Sequence, residues 1–172
     1  MMKNGKKENT LTETNNEKNN KPLLFFSVTT LVAGQLIGFL SFKFFPVERT
    51  YNLPEIYPPT WMFPAIWCIL YPCMGLSIGY IWQLRKQIDI RAVFICYLIM
   101  LTANLLFVPI MNLCNGDPGV MTLMDLNGVI SSILFGWLCS GYSKKAFYWS
   151  LPLMIWMPIT LIIKITLWMA NP

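Results

Sequence analysis

A long apolar stretch decides the fold of this chain: residues 57–80 read YPPTWMFPAIWCILYPCMGLSIGY. The stretch opens with two prolines and then stays apolar for long enough to cross a hydrocarbon core of about 30 Å, at about 1.5 Å per helical residue. Phe63, Trp67 and Tyr71 recur every fourth residue, which places them along one side of a helix, and Trp61 lies at its start. The stretch predicts one membrane-spanning helix with an aromatic face.

The composition extends this prediction to the whole chain. Of 172 residues, 55% are hydrophobic and only 12% are charged, whereas about a quarter of the residues of a soluble domain are charged. The net charge of +5 does not indicate nucleic-acid binding, because the basic residues stand between apolar stretches, as membrane topology requires. The composition therefore indicates an integral membrane protein in contact with the lipid bilayer.

Cysteine and histidine usage argues against metal chemistry. The chain has five cysteines and no histidine, and it contains no Cys-x-x-Cys pair, so a zinc or haem-ligand site has little support. Four of the cysteines lie in apolar runs, where free Cys is commonly a small buried residue. We expect no metal and no required cofactor.

The rest of the chain divides into a tail and four more spans. Residues 1–21 are almost entirely polar, which predicts a disordered tail, and residues 22–172 form the membrane domain. The predicted fold class is an all-α membrane protein with a bundle of five helices, over residues 23–42, 59–82, 92–111, 119–140 and 147–170. Pro59 suits a helix start, Pro72 predicts a kink, and Gly34 with Gly38 permits close helix approach.

The distribution of positive charge predicts the topology. With the N-terminus inside, ten Lys and Arg fall on inner segments and two, Lys43 and Arg49, fall on outer ones, while one lies within a span. We expect the N-terminus inside and the C-terminus outside.

Polar residues within the spans fall at one depth. Counting along spans 3, 4 and 5 places Asn104, Asp125 and Lys164 about 10 Å below the outer boundary, in the same layer as Trp67. Ionisable groups inside a membrane are expensive to bury and mark candidate functional sites. Together with neighbours on their own faces, they predict a mostly apolar ligand pocket with a few placed polar groups, lined by Trp61, Phe63, Trp67, Tyr71, Asn104, Phe107, Asp125, Trp156, Thr160 and Lys164.

Other interpretations of these residues stay open. Trp61 suits an interfacial anchor as well as a pocket wall, and Asn104 suits a bond between helices. Lys164 either pairs with Asp125 or extends its amine to the interface.

The residues in this order resemble the TspO/MBR family, also called translocator proteins, tryptophan-rich sensory proteins or peripheral-type benzodiazepine receptors. Residues 58–75 are similar to the family's Pro-Pro-x-Trp-Val-Phe-x-x-Val-Trp-x-x-Leu-Tyr-x-x-Met-Gly stretch. Asn104 to Phe107 resembles its Asn-x-x-Trp, Asp125 its acidic residue early in helix four, and Pro152 to Trp156 its Pro-Tyr-x-x-Trp.

The resemblance implies a five-helix bundle, often a homodimer, whose pocket lies under the first loop and binds tetrapyrroles such as porphyrin or haem for transport, sensing or turnover. Trp67 and Trp156 match tryptophans implicated in light-dependent porphyrin degradation, so a porphyrin-degrading enzyme is one alternative. A structural membrane subunit without a small-molecule ligand is another.

This sequence departs from the family pattern in several places. The loop over residues 43–58 is shorter, Phe107 replaces a Trp, and Lys164 stands where Asn is usual. The weak sterol-recognition pattern is absent from the end of span 5, which has neither Tyr nor Arg after Trp156.

Overall fold

The fold is known from a computed structural model that describes residues 4–171, with side chains from residue 20 onward. Five helices follow one another along the chain: α1 (Asn4–Phe44), α2 (Met62–Gln83), α3 (Arg91–Leu113), α4 (Pro118–Tyr142) and α5 (Lys144–Ala170). The described residues contain no strand. Each helix includes an apolar segment of 22 to 27 residues, long enough to span a membrane, with Asn20–Phe44 as the spanning part of α1. The predicted all-α bundle of five membrane helices is confirmed.

The helix bounds differ from prediction mainly at two places. α1 continues back to Asn4, through most of the polar segment for which the sequence predicts disorder, since a helix that already exists adds further turns at little cost. α2 begins at Met62 instead of Pro59, because Met62 N donates to Pro59 O at 2.9 Å and closes a turn ahead of the helix. The predicted tail residues 1–3 lie outside the described residues.

The helices form a closed ring in the order α1, α2, α5, α4, α3. α1 packs against α2 and α3, α2 packs against α5, and α4 packs against both α5 and α3. Neighbours in the ring are therefore not always neighbours in sequence. A ring of five helices leaves an axis that side chains must fill.

The two ends of the ring differ in their connections. The end that we call the loop end carries the long α1–α2 loop, residues 45–61, and the α3–α4 turn, residues 114–117. The opposite end, the basic end, carries residues 84–90 and the α4–α5 junction at Ser143, with Arg85, Lys86, Arg91, Lys144 and Lys145 around it. We use loop half and basic half for the parts of the bundle nearest each end.

The basic half is solidly packed. Its side chains form one core of fully buried residues, which includes Met74, Ile78, Val93, Tyr97, Met100, Phe135, Cys139 and Leu153. A buried hydrogen bond at 2.8 Å joins Thr30 Oγ1 and Tyr97 Oη across α1 and α3. α1 and α2 approach closely, since a Cβ on Gly75 would collide with the backbone of Phe26 and Ser27.

The predicted close approach at Gly34 and Gly38 holds for only one of them. A Cβ on Gly34 would collide with the Tyr71 ring, whereas a Cβ on Gly38 would meet nothing within 4 Å. Gly38 instead faces the open space described below.

Candidate functional site

A cavity of about 530 Å³ occupies the axis of the loop half. All five helices and the α1–α2 loop contribute to its wall, so it forms only in the complete bundle. The wall is mostly aromatic, aliphatic and methionine side chains, with a few polar groups, as is usual for small-molecule sites. Its volume lies in the range of ligand pockets, about 300 to 1,000 Å³.

Helix α2 supplies the aromatic wall that the sequence predicts. Phe63, Trp67 and Tyr71 all line the cavity. The Trp67 and Tyr71 rings lie 4.9 Å apart, tilted by 35°. Their spacing of four residues keeps them on one helix face over two turns, and together they offer a broad apolar surface.

The polar residues predicted to share one depth also line the cavity. Asn104, Asp125, Thr160 and Lys164 line the same cavity, together with Phe107. Asn104 Nδ2 donates to Met100 O at 2.8 Å, one turn earlier in α3, so its Oδ1 and second N–H are left for another partner. The Thr160 hydroxyl donates to the carbonyl of the residue three positions earlier, at 2.9 Å.

Asp125 and Lys164 do not form a direct ion pair. Within the described part of the chain, the ion pairs closer than 4.0 Å are Arg49–Asp117 and Arg91–Asp89. Both residues are nevertheless buried, with 4% of Asp125 and 6% of Lys164 exposed. The Oδ2 atom of Asp125 is buried and has no hydrogen-bond partner. The cavity thus contains an acid and a base that do not use their full bonding capacity on the protein.

The α1–α2 loop covers the cavity. Val47, Tyr51, Tyr57 and Thr60 from the loop and its junction with α2 line the wall. Tyr51 and Tyr57 were not predicted, because loop residues follow no helical period that would assign them to a face. The loop is long enough to reach the α3–α4 turn.

Three contacts fix the loop to that turn. Tyr51 Oη donates to Gly116 O at 2.6 Å, Glu48 N donates to Asn115 Oδ1 at 3.1 Å, and Arg49 pairs with Asp117 at 3.4 Å. Gly116 has φ +67, and a Cβ there would run into the Tyr51 hydroxyl, so the turn needs glycine for its backbone and for this contact.

A second attachment joins the loop to the end of α5. Asn52 N donates to Asn171 Oδ1 at 2.8 Å, and Asn171 Nδ2 donates back to Asn52 O at 3.0 Å. Burial raises the pKa of the Tyr51 phenol, an effect that nearby Arg49 opposes and Asp117 reinforces. Tyr51 is therefore a neutral hydrogen-bond donor at physiological pH.

Two predicted site residues lie outside the cavity. Trp61 precedes α2 and is 68% exposed. Trp156 lies on the outer surface of the α2–α5 contact, in a second, apolar groove of about 300 Å³. Its ring meets Phe63 edge-on at 6.3 Å, and its Nε1 is buried without a hydrogen-bond partner. The prediction that Trp61 and Trp156 line the pocket with Trp67 does not agree with this placement.

Trp156 lies outside the cavity because of the rotation of α5 about its own axis, which the spacing of residues alone does not determine. Positions i, i+4 and i+8 advance by about 40° at each step, because a helix has 3.6 residues per turn. Trp156 is thus about 80° away from Lys164 around α5. The stripe that does face the cavity is Met157, Thr160 and Lys164, spaced i, i+3 and i+7.

Several lining residues carried no signal that sequence reasoning used. α1 contributes Gly34, Gln35, Gly38, Phe39 and Phe42, and α3 and α4 contribute Ala103, Val108, Met111, Met121, Met124 and Gly128. A glycine within an apolar span, here Gly38, was the available hint of open space. The cysteines are free, and the described residues contain no group of three His, Cys, Asp or Glu side chains that could hold a metal ion.

The fold and the cavity define a multi-pass integral membrane protein whose helix bundle encloses a ligand-sized space under a tethered loop. The sequence matches the TspO/MBR family over residues 20–169, which is nearly all of the chain. The protein belongs to the TspO/MBR family. No curated protein matches it.

Proposed function

We propose that this membrane protein binds a flat apolar ligand of the tetrapyrrole class, such as porphyrin or haem, for transport, sensing or turnover. The observation that carries the proposal is the cavity of about 530 Å³ with the adjacent Trp67 and Tyr71 rings on one wall. A flat conjugated ring presents the large apolar face that such a wall binds best, through offset stacking worth about 1 kcal/mol per ring beyond the buried area.

The site supplies groups for both parts of such a ligand. Phe63, Trp67 and Tyr71 would stack on the macrocycle, with Phe107 facing them. The Oδ1 atom and the second N–H of Asn104 would hydrogen-bond the polar edge of the ligand. The protein needs no cofactor for this binding, and the tetrapyrrole is the ligand itself.

Titration of the purified protein with protoporphyrin IX tests the proposal. We expect a saturable shift of the porphyrin absorption band. This signal does not depend on tryptophan fluorescence, so it can also be measured in variants that lack a tryptophan. Trp67→Ala should weaken binding about tenfold through lost stacking, while Trp61→Ala, outside the cavity, should not change it. Gly38→Phe, which places a ring where a Cβ meets nothing, should block binding. Binding that none of these variants alters would refute the site.

The structure offers less support for the alternatives. Light-dependent porphyrin degradation that uses both Trp67 and Trp156 would need both indoles at the ligand, and Trp156 lies outside the cavity. A purely structural subunit has no use for an internal space lined by unpaired polar groups. Illumination of the bound complex distinguishes the enzyme, since bleaching of the porphyrin band should then require Trp67.

We also propose that the basic end faces the inside, so that the N-terminus is inside and the C-terminus outside. The support is the cluster of Arg85, Lys86, Arg91, Lys144 and Lys145 at that end. Cys114 is exposed in the α3–α4 turn at the loop end. In a variant that keeps Cys114 alone, a membrane-impermeant maleimide should label intact cells; labelling only after lysis would reverse the orientation. A homodimer remains a prediction, which light scattering in detergent would check.

A further inference from the structure

Lys164 is surrounded by aromatic rings from three elements. Its Nζ lies 5.1 Å from the centre of the Phe63 ring on α2, 5.6 Å from that of Tyr57 in the loop, and 5.9 Å from that of Phe107 on α3. These distances are within the range of about 6 Å at which a ring face attracts a cation. The rings therefore stabilise a charged amine in a buried position.

Aromatic rings stabilise the charge but do not replace ordinary hydrogen-bond acceptors. An ammonium group has three N–H donors, and no hydrogen bond or close ion pair of Lys164 is found among residues 20–171. Asp125, the acid that lines the same cavity, is more than 4.0 Å from it and keeps one oxygen unpartnered. The amine thus faces the cavity with donors available.

Lys164 is also the one basic side chain on the cavity wall within the described residues. A single cation with an acid nearby makes the empty cavity neutral overall. Lys164 can pair with one carboxylate, and a compact dianion such as phosphate would bring a second negative charge close to the Asp125 carboxylate with no further cation to balance it. A larger flat ligand with more than one carboxylate can place one of them beside Lys164 and keep the others away from Asp125. The apolar surroundings strengthen a charge-assisted bond by keeping water away.

We propose that Lys164 binds a carboxylate of the ligand and makes this cavity selective for flat ligands that carry an acid group over neutral ligands of the same shape. The proposal rests on the proposed function and deepens it by naming the ligand's charged group. The Trp67 and Tyr71 rings of α2 contact the apolar body of the ligand. Lys164 fixes the ligand's orientation by binding the carboxylate at one edge of it.

A matched pair of ligands tests the proposal. Pyropheophorbide a is a flat tetrapyrrole with a single carboxylate, and its methyl ester has the same ring without the charge. Wild-type protein should bind the acid about tenfold more tightly than the ester, as a hydrogen-bonded charge requires. In Lys164→Met that preference should disappear through loss of acid affinity, while ester affinity is retained.

Two further variants make the result decisive. Lys145→Met removes a lysine near the other end of the same helix, where its Nζ lies over Tyr80 at 5.7 Å, and should keep the full preference for the acid. The double variant Lys164→Met/Asp125→Asn avoids an isolated buried carboxylate, so it should fold even if Lys164→Met does not, and it should also lack the preference.

The outcomes separate the two proposals. If both compounds bind and the acid-to-ester ratio is the same in wild type and in the Lys164 variants, the carboxylate assignment is overturned while tetrapyrrole binding stands. If neither compound binds wild-type protein, both proposals fail. Loss of ester binding together with acid binding in the double variant would show that Lys164 shapes the cavity without recognising charge, which also overturns the assignment.

Discussion

The two halves of the bundle use the same residue types in opposite ways. In the basic half, aromatic rings meet each other and leave no space, as in the contacts of Tyr97 with Phe135 at 5.7 Å and of Trp82 with Phe94 at 5.4 Å. In the loop half, the rings of Phe63 and Phe107 face a cavity and the Lys164 amine. Aromatic content alone therefore does not distinguish a packed core from a binding site.

Glycine shows the same contrast at shorter range. Gly75 in the basic half lies against the α1 backbone, whereas Gly38 in the loop half faces open space. The comparison indicates that the packed basic half stabilises the bundle, whereas the loop half, which contains the cavity, is the half where we propose binding. The first three predictions below each compare a residue in one half with a matched residue in the other, and the fourth concerns the loop.

The largest difference should appear between two phenylalanines. Phe135 is fully buried in the basic half, so Phe135→Ala should lower the free energy of unfolding by about 3 to 5 kcal/mol through the lost contacts and the new void. Phe63→Ala should cost much less and should instead weaken porphyrin binding. Thermal unfolding in detergent, with and without ligand, measures both. Equal stability losses would contradict the division into halves.

A smaller difference is expected between two glycines. Gly75→Ala places a Cβ against the Phe26 and Ser27 backbone, and should cost about 1 to 3 kcal/mol because backbone cannot move aside easily. Gly38→Ala meets nothing and should be neutral or gain up to about 1 kcal/mol, since alanine restricts the unfolded chain. Unfolding of both variants under the same conditions compares their free energies of unfolding. A greater loss of stability in Gly38→Ala than in Gly75→Ala would contradict the prediction.

One buried hydrogen bond gives a third test. Tyr97→Phe removes the bond to Thr30 across α1 and α3, and interhelical bonds in membranes average about 0.6 kcal/mol. Tyr71→Phe changes a tyrosine on the cavity wall and should alter ligand affinity more than stability. A stability loss confined to Tyr71→Phe would show that the basic half does not depend on this bond.

The smallest effect on stability should come from the loop. Tyr51→Phe removes its bond to Gly116 and should speed ligand release with little change in unfolding. Because burial raises the Tyr51 pKa above its ordinary value of 10.0, the folded state holds the phenol proton more tightly than the unfolded chain. The contribution of this contact is complete below pH 10 and declines as pH rises through the raised pKa. Release rates that accelerate above pH 10 in wild type, and not in Tyr51→Phe, would show this.

The fold was predictable because each span is a continuous apolar run with a length set by the bilayer. The layer of Asn104, Asp125 and Lys164 was predictable for a related reason: helices that cross the same slab make residue number a measure of depth. The rotation of each helix is not encoded in this way. It depends on packing against neighbours, and for this reason Trp156 was placed on the wrong side of α5.

The loop residues that line the cavity could not be predicted, for a different reason. Tyr57 and Tyr51 are held by contacts between segments more than 60 residues apart, such as the bond from Tyr51 to Gly116. Neither periodicity nor hydropathy describes such contacts. The position of the Lys164 amine among three aromatic rings also depends on this loop, because Tyr57 is one of those rings.

The order of helices in the ring has a consequence for how the protein is made. α5 lies between α2 and α4 and closes the ring, yet it is the last of the five helices to leave the ribosome. Asp125 on α4 therefore enters the membrane before the chain has provided Lys164, and among residues 20–142 no side chain from an earlier helix brings a positive charge to the cavity wall. Until α5 is inserted, the four earlier helices form an open arc with an acidic group on its inner side. Insertion of α5 is thus the step that both closes the cavity and balances its charge.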